Sequence, residues 1–293
     1  MCLSIIYRNQ NMDTKPINPL MAHFRQPAIY FPLPSRGQYW ASGLNLPESQ
    51  EIPVYPMTAR DEIVLKTPDA LLNGQGVVDV IHSCCPNITD AWQMPSIDVD
   101  ATLIAIRIAS YGNQMEFESK CPHCDEENRF EADLGGILNQ IKTVDYTKKI
   151  QTNNLRIKLQ PQKYFSVNAT SKISYEEQRV LNALGDTNLS EEIRVEEYKK
   201  HMSRVIELQI KSLADSTEYI EIVESGSIVN DPEHITEFYQ NCDAEVCKAV
   251  RTKLEEIAAE GTIPPLETNC QSCSKEYSIP LIFDYASFFV DGS

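Results

Sequence analysis

Two Cys-x-x-Cys pairs are the residues whose types and spacing point most clearly to chemistry: Cys121 with Cys124, and Cys270 with Cys273. A Cys-x-x-Cys turn places two thiolates at the separation that Zn²⁺ prefers, and two such turns complete a tetrahedral shell with no open position. We therefore expect one structural zinc ion per chain, held by these four cysteines. A redox dithiol is the competing interpretation, but it requires a helix directly after the pair, whereas a strand-like run follows each pair here.

The two pairs are far apart in the chain, separated by residues 125–269. Closing a loop of that length instead of a loop of about 15 residues costs on the order of 2 kcal/mol more. Structural zinc binding provides roughly 10–16 kcal/mol, so the separation does not prevent the site from forming. The pattern predicts a split zinc ribbon, whose two Cys-x-x-Cys knuckles are separated by an insertion.

Other groups of reactive side chains are expected to be structural. Cys84 and Cys85 point in different directions on a helix, as do Cys242 and Cys247, and unpaired cysteines are commonly buried as small apolar residues. His82 lies two residues before Cys84, but we expect this group to pack in the core and not to bind a second metal.

The sequence shows no set of catalytic residues. It contains no Ser-His-Asp order, no phosphate-binding glycine loop and no His-rich metal motif. Asp98 and Arg107 lie in the most apolar segment, where a structural ion pair or helix cap is the simpler interpretation. We therefore expect that the protein is not an enzyme.

Composition narrows the class of protein further. The 293 residues are 42% hydrophobic and 23% charged, which is sufficient for a buried core. A net charge of −16 disfavours a nucleic-acid partner. Nine cysteines without a secretion signal indicate a reducing cytoplasm, and no apolar run is long enough to cross a membrane. Both Met1 and Met12 fit as the start of translation.

The hydrophobic pattern predicts an α+β fold with three parts. We expect a mainly helical domain with the split zinc ribbon, closed by the C-terminal strand, and a mixed α/β insertion between the knuckles. The predicted parts are an extended N-terminal arm at 1–36, the helical core at 37–143 plus 262–293, and the inserted hairpin and helices at 144–261.

Individual elements follow from periodicity and from turn residues. Residues 96–111 are apolar on most of the helix circumference, which predicts the central buried helix. A β-hairpin is predicted around Asn153-Asn154. The other predicted elements are strands at 38–40, 51–55, 114–120, 129–134, 219–223 and 277–283, and helices from about 58, 68, 76, 135, 174, 190, 231 and 244.

Aromatic residues near both ends of the chain suggest a binding surface. Tyr30 and Phe31 lie in the arm, and Phe288 and Phe289 lie near the C-terminus. Large aromatic side chains are costly to leave in water, so we expect these residues to make protein–protein contacts.

Several short motifs occur together in a fixed order along the chain. They are Leu33-Pro-Ser-Arg-Gly37, Pro56-Met-Thr-Ala-Arg-Asp-Glu62, Cys85-Pro-Asn87, the run from Asp98 to Gly112, the Cys-Pro-x-Cys knuckle and the terminal Phe-Phe. Over roughly residues 17–145 and the last 30 residues, the chain resembles the baseplate hub subunit family of T-even-type contractile-tailed bacteriophages. The resemblance implies a structural virion protein, in symmetric copies at the centre of the baseplate, contacting tail-tube, spike or wedge proteins.

Two other functions stay open at this point. A zinc-ribbon regulator would bind nucleic acid or polymerase, and a hub assembly chaperone would be absent from the finished particle. The baseplate interpretation places the protein in the virion tail, and in the host cytoplasm during assembly.

Overall fold

The structure of the protein, a computed structural model, describes residues 18–67, 74–184, 191–261, 265–279 and 288–289. In these residues it contains eight α-helices and small antiparallel sheets, so the predicted α+β class is confirmed. The helix predicted near Pro68, the first part of the arm and the end of the strand predicted at 277–283 lie outside the described residues.

The helices of the described residues are α1 (Ala59–Leu65), α2 (Gln75–Cys84), α3 (Ser96–Tyr111), α4 (Leu134–Gln140), α5 (Tyr164–Leu184), α6 (Glu191–Asp215), α7 (Pro232–Asn241) and α8 (Ala244–Gly261). The strands are β1 (Ile29–Phe31), β2 (Ile52–Val54), β3 (Gln114–Lys120), β4 (Glu127–Asp133), β5 (Ile150–Thr152), β6 (Leu155–Leu159), β7 (Thr217–Ile222), β8 (Ser227–Val229), β9 (Leu266–Asn269) and β10 (Glu276–Ile279). Short 3-10 helices occupy Pro19–His23 and Ala91–Gln93.

Antiparallel pairing organises all the described strands. Three sheets have two strands each, β1 with β2, β3 with β4, and β9 with β10, while the fourth has the order β5-β6-β7-β8. Asn153, with φ of 46°, lies in the tight turn between β5 and β6, as the hairpin prediction requires. Strand β8, which has three residues and follows β7 after a short turn, was not predicted.

Helix α3 is the centre of the first hydrophobic core. It runs over the predicted residues and ends at Tyr111, where it is followed by Gly112, whose φ of 90° is unfavourable for a residue with a side chain. Residues from nearly its whole circumference are buried, including Leu103, Ile104 and Ile106. Burying each such side chain contributes roughly 1.5–3 kcal/mol, so this helix stabilises the elements around it.

Asp98, on the first turn of α3, holds the preceding chain in place. Its buried carboxylate accepts hydrogen bonds from the Ser35 backbone N–H at 2.7 Å, from the Ser35 hydroxyl, and from the Trp40 indole N–H at 2.9 Å. The chain between these donors turns sharply, with φ of 76° at Gly37 and 67° at Tyr39. The strand predicted at 38–40 is therefore wrong, because the buried carboxylate selects a turn.

A second hydrophobic core lies between the four-stranded sheet and helices α6, α7 and α8. Its buried side chains include Ile157 and Ile220 on the sheet, and Leu213, Val250 and Ile257 on the helices. The first core draws on residues 31–141 together with Tyr164, Phe288 and Phe289, and the buried residues of the second lie within 144–257. The division at 36/37, 143/144 and 261/262 stays a prediction.

Helix α5 begins at Tyr164, ten residues before the predicted start near Ser174. The Tyr164 backbone N–H donates to the Met94 carbonyl at 2.8 Å, and its ring stacks on Trp92 with centroids 5.4 Å apart. These contacts come from a distant part of the chain, so the local pattern did not reveal the helix start.

Replacing Asp98 by Ala would leave the donors of Ser35 and Trp40 buried without their acceptor. We expect the free energy of unfolding, measured by urea denaturation, to fall by about 3–5 kcal/mol. Asp98→Asn keeps a side-chain acceptor and should cost less. Equal stability of Asp98→Ala and the wild type would contradict the role assigned to this carboxylate.

Burial raises the pKa of Asp98 from 3.8 to about 6, although the hydrogen bonds from Ser35 and Trp40 act in the opposite direction. The folded protein therefore binds this proton more tightly than the unfolded chain does, and that contribution is lost as pH rises from about 4 through about 6. Relative to Asp98→Asn, the wild type should lose about 2 kcal/mol of stability between pH 4 and pH 7. Urea denaturation of both proteins at several pH values measures this difference.

Candidate metal centre

Each Cys-x-x-Cys pair lies at the tip of a β-hairpin. Cys121 and Cys124 lie in the turn between β3 and β4, and Cys270 and Cys273 in the turn between β9 and β10. The last paired residues before the turns are Lys120 with Glu127 in one hairpin and Asn269 with Glu276 in the other. The two turns therefore have the same length and the same position relative to their strands.

The hydrogen bonds within the two turns also match. In each turn the first cysteine donates its N–H to the carbonyl five residues later, and the residue after the second cysteine donates back to the carbonyl of the first. These two distances are 2.9 and 3.0 Å in the first turn, and 2.9 and 2.9 Å in the second. Asp125 and Ser274, which follow the second cysteines, have left-handed φ values of 60° and 57°. The two turns are thus local structural equivalents.

The four sulfur atoms of these turns form one group, all lying within 4.8 Å of one another. Cys121 Sγ is 3.8 Å from Cys273 Sγ, and Cys124 Sγ is 3.6 Å from Cys270 Sγ. A regular tetrahedron with metal–sulfur bonds of about 2.3 Å requires sulfurs about 3.8 Å apart. The four cysteines therefore fit a tetrahedral metal ion, while His123 is exposed and does not belong to the group.

Backbone N–H groups stabilise negative charge on the buried sulfurs. Cys121 Sγ accepts from the His123 N–H at 3.4 Å, and Cys270 Sγ accepts from the Cys273 N–H at 3.5 Å. Hydrogen bonding from the Cys273 backbone, and then from Ser272, lowers the pKa of Cys270 to about 6, against the opposing effect of burial. Thiolates are the form that binds metal, so the turn prepares Cys270 as a ligand.

Asn128 connects the two hairpins next to the sulfurs. Its buried side chain donates to Cys270 Sγ at 3.6 Å and accepts from the Gln271 backbone N–H at 2.8 Å. It also donates to the Glu126 carbonyl at 3.0 Å. Sequence reasoning missed Asn128, and no local pattern marks it, because its partners belong to the other hairpin.

A small third hydrophobic group supports the metal centre. The ring of Phe130 lies edge-on to Tyr277, with centroids 6.3 Å apart, and 6.0 Å from Phe117. Ile279 and Tyr277 are buried beside Cys121 and Cys270. These contacts hold the hairpins together in addition to any metal.

The structure places only one of the four predicted interaction residues on the surface. Tyr30 is 60% exposed, whereas Phe31, Phe288 and Phe289 are 3%, 1% and 4% exposed in the first core. The Arg107 guanidinium lies 5.4 Å from the centre of the Phe288 ring, in a cation–π contact. Three of the four side chains predicted to contact other proteins therefore pack inside the chain, and the binding role itself, including that of Tyr30, stays a prediction.

Other exposed apolar residues lie on the arm, six to ten positions before Tyr30 in the sequence. Leu20, Met21 and Phe24 are 62%, 54% and 55% exposed, on or directly after the 3-10 helix Pro19–His23. These residues were not among the predicted interaction residues, although two adjacent apolar residues followed by Phe24 in a proline-rich segment are a signal that the sequence contains.

Replacing Cys270 by Ser removes one of the four sulfurs and the one with the lowered pKa. We expect bound metal, measured by elemental analysis of the purified protein, to fall from about one ion per chain to near zero, since structural metal binding depends on the full ligand set. Cys247→Ser, at a cysteine outside the group, is the matched control and should keep its metal. Unchanged metal content in Cys270→Ser would contradict the assignment of the site.

Comparison with known proteins places the chain in a family. Residues 41–290, most of the chain and including both cysteine pairs, match the family model described as T4 bacteriophage base plate protein. Searches of curated proteins and of solved structures gave no match. Within the described residues, none of the helices combines the length and the apolar character that a membrane span requires. The chain belongs to the T4 bacteriophage base plate protein family, and is thus a structural baseplate protein of the virion tail that interacts with other tail and baseplate proteins.

Proposed function

We propose that the protein is a subunit of the central hub of the baseplate, and that it bridges neighbouring tail-tube, spike or wedge proteins in symmetric copies. Family membership supports the baseplate role. The observation that carries the bridging role is the exposed apolar surface of the N-terminal arm, defined by Leu20, Met21, Phe24 and Tyr30. Apolar surface of this kind is stabilised when another protein covers it.

The arm surface is anchored to the first core by Arg25. Its guanidinium donates to the Ser83 carbonyl at 2.7 Å and to the Pro56 carbonyl, and it lies 3.5 Å from the Asp61 carboxylate. Asn18 caps the 3-10 helix through a hydrogen bond to the Leu20 N–H at 3.0 Å. The arm therefore presents its apolar side chains from a fixed backbone, which reduces the entropy lost on binding.

A second exposed apolar surface lies on helix α6 and supports a bridging function. Val195, Tyr198 and Ile206 are 48%, 54% and 51% exposed and share one face of the helix. The buried side chain of His201 points instead to α5, where its Nδ1 lies 2.6 Å from the Glu177 carboxylate. On this part of α6 three apolar side chains thus face solvent while the polar His201 lies against α5, as expected if a partner covers the helix.

The metal in the four-cysteine centre is proposed to be zinc with a structural role. Four thiolates in a tetrahedron suit zinc or iron–sulfur chemistry, and a closed zinc shell leaves no position for a substrate. The two knuckles would then form the split zinc ribbon, fixing both ends of residues 125–269. Elemental analysis should find zinc at about one ion per chain, and removing it should destabilise the chain between the knuckles.

Catalysis is not part of the proposed function. The buried polar groups of the first core have structural tasks: Asp98 holds the turn at Ser35, and Arg107 packs between the rings of Tyr111 and Phe288. These contacts account for the burial of both charged side chains without a bound substrate.

Two alternatives differ in what they predict. A zinc-ribbon regulator should be retained on DNA at low salt and released as salt rises. The net charge of −16 opposes this, and we expect no binding of nucleic acid. An assembly chaperone for the hub should be missing from purified virions, where mass spectrometry should instead detect the protein.

Replacing Leu20 and Phe24 together by Ser tests the arm surface. Both side chains are more than half exposed, so stability should change by less than about 1 kcal/mol. Loss of two apolar anchors should reduce incorporation into tails by about tenfold or more. The measurement is the amount of protein in purified tails when a phage lacking its own copy is complemented with each variant.

The matched control replaces Ile63 and Ile228, which are 67% and 60% exposed away from the arm, by Ser. This variant should be incorporated like the wild type. Equal incorporation of the arm variant and the control would contradict binding through the arm, and the metal content of both variants shows whether folding is preserved.

A further inference from the structure

Two cysteines outside the metal centre are in contact. Cys242 Sγ lies 3.4 Å from Cys247 Sγ, at the junction of helices α7 and α8. From their spacing, Cys242 and Cys247 were expected on different faces of one helix. That expectation is wrong because α7 ends at Asn241, Cys242 has an extended backbone with φ of −79° and ψ of 166°, and the chain changes direction before α8 begins at Ala244.

The surroundings of the two thiols permit a bond between them. Both are partly exposed, so small thiol reagents can reach them, and both sulfurs lie near the Tyr239 carbonyl, at 4.0 and 3.9 Å. A disulfide requires the sulfurs to approach to about 2.0 Å. The two sulfurs would come closer through movement at the end of α7 and in the first turns of α8. Cys84 and Cys85, by contrast, are fully buried.

We propose that Cys242 and Cys247 are a redox modification site that forms an intramolecular disulfide when the protein passes from a reducing to an oxidising environment. Virion proteins experience such a change, because disulfides are unstable in a reducing cytoplasm and persist on particles outside the cell. The inference rests on the virion tail location given by the family, and is independent of the proposed hub position and of the identity of the metal.

The oxidant is a small disulfide of the glutathione class, and the reaction proceeds in two exchange steps. The thiolate of one cysteine attacks a sulfur of oxidised glutathione, forming a mixed disulfide and releasing one glutathione thiolate. The thiolate of the other cysteine then attacks the protein sulfur of that mixed disulfide and releases the second glutathione. Two protein thiols are oxidised, one glutathione disulfide is reduced to two thiols, and the protons pass to the released thiolates.

The bond would join the end of α7 to the beginning of α8 beside the second core. Burial, together with the hydrogen bond to Cys247, raises the pKa of Cys242 to about 12.

The test treats the purified full-length protein, with its metal bound, with oxidised glutathione. Peptide mapping by mass spectrometry without reductant should show a Cys242–Cys247 linkage in about half or more of the chains, reversed by excess reduced glutathione. Cys242→Ser should instead accumulate a stable glutathione adduct on Cys247, because the second exchange step is lost. Metal content, measured in parallel, should be unchanged.

Three outcomes would overturn the proposal. In the first, the wild-type protein keeps a glutathione adduct and does not form the Cys242–Cys247 disulfide. In the second, both wild-type thiols stay free at oxidant concentrations that oxidise other exposed dithiols. The third is purified phage particles in which both cysteines are labelled by an alkylating reagent without prior reduction. Circular dichroism of Cys242→Ser and Cys247→Ser distinguishes loss of reactivity from loss of folding.

Discussion

The meeting of two hairpins that are separated by residues 125–269 is the constraint on which the rest of the structure depends. Because the four sulfurs converge, the chain that leaves the first hairpin must return to the same place after forming the second core. Asn128 and the Phe130–Tyr277 contact reinforce this meeting with direct protein contacts. The four-cysteine group and the third hydrophobic group thus act as one junction between distant parts of the chain.

The first core shows how a buried carboxylate can organise an apolar environment. Asp98 lies on the most apolar helix, yet the hydrogen bonds that it accepts from Ser35 and Trp40 hold the end of the N-terminal arm and the turn that follows it. Arg25 fixes the arm itself at a second place, against the carbonyls of Pro56 and Ser83. These polar contacts determine where the exposed apolar residues of the arm are presented, so the proposed binding surface depends on interactions inside the core.

The features that could be predicted from the sequence depend on local spacing. The four metal-ligand candidates could be predicted because a Cys-x-x-Cys turn determines its own geometry; they are Cys121, Cys124, Cys270 and Cys273. Helix α3 could be predicted because its own residues are apolar around most of its circumference. The burial of Phe288 could not be predicted, since its partner Arg107 is remote in sequence. For the same reason the start of α5, the role of Asn128 and the contact between Cys242 and Cys247 depend on tertiary structure that no local pattern records.

The position of Phe288 and Phe289 also determines the order in which the protein can mature on the ribosome. These side chains pack into the first core, yet they are synthesised after the whole of residues 125–269. The second core can fold while translation continues, whereas the first core stays open on the side that Phe288 covers. A chain whose translation stops within residues 125–269 therefore lacks both a complete first core and the second pair of sulfurs.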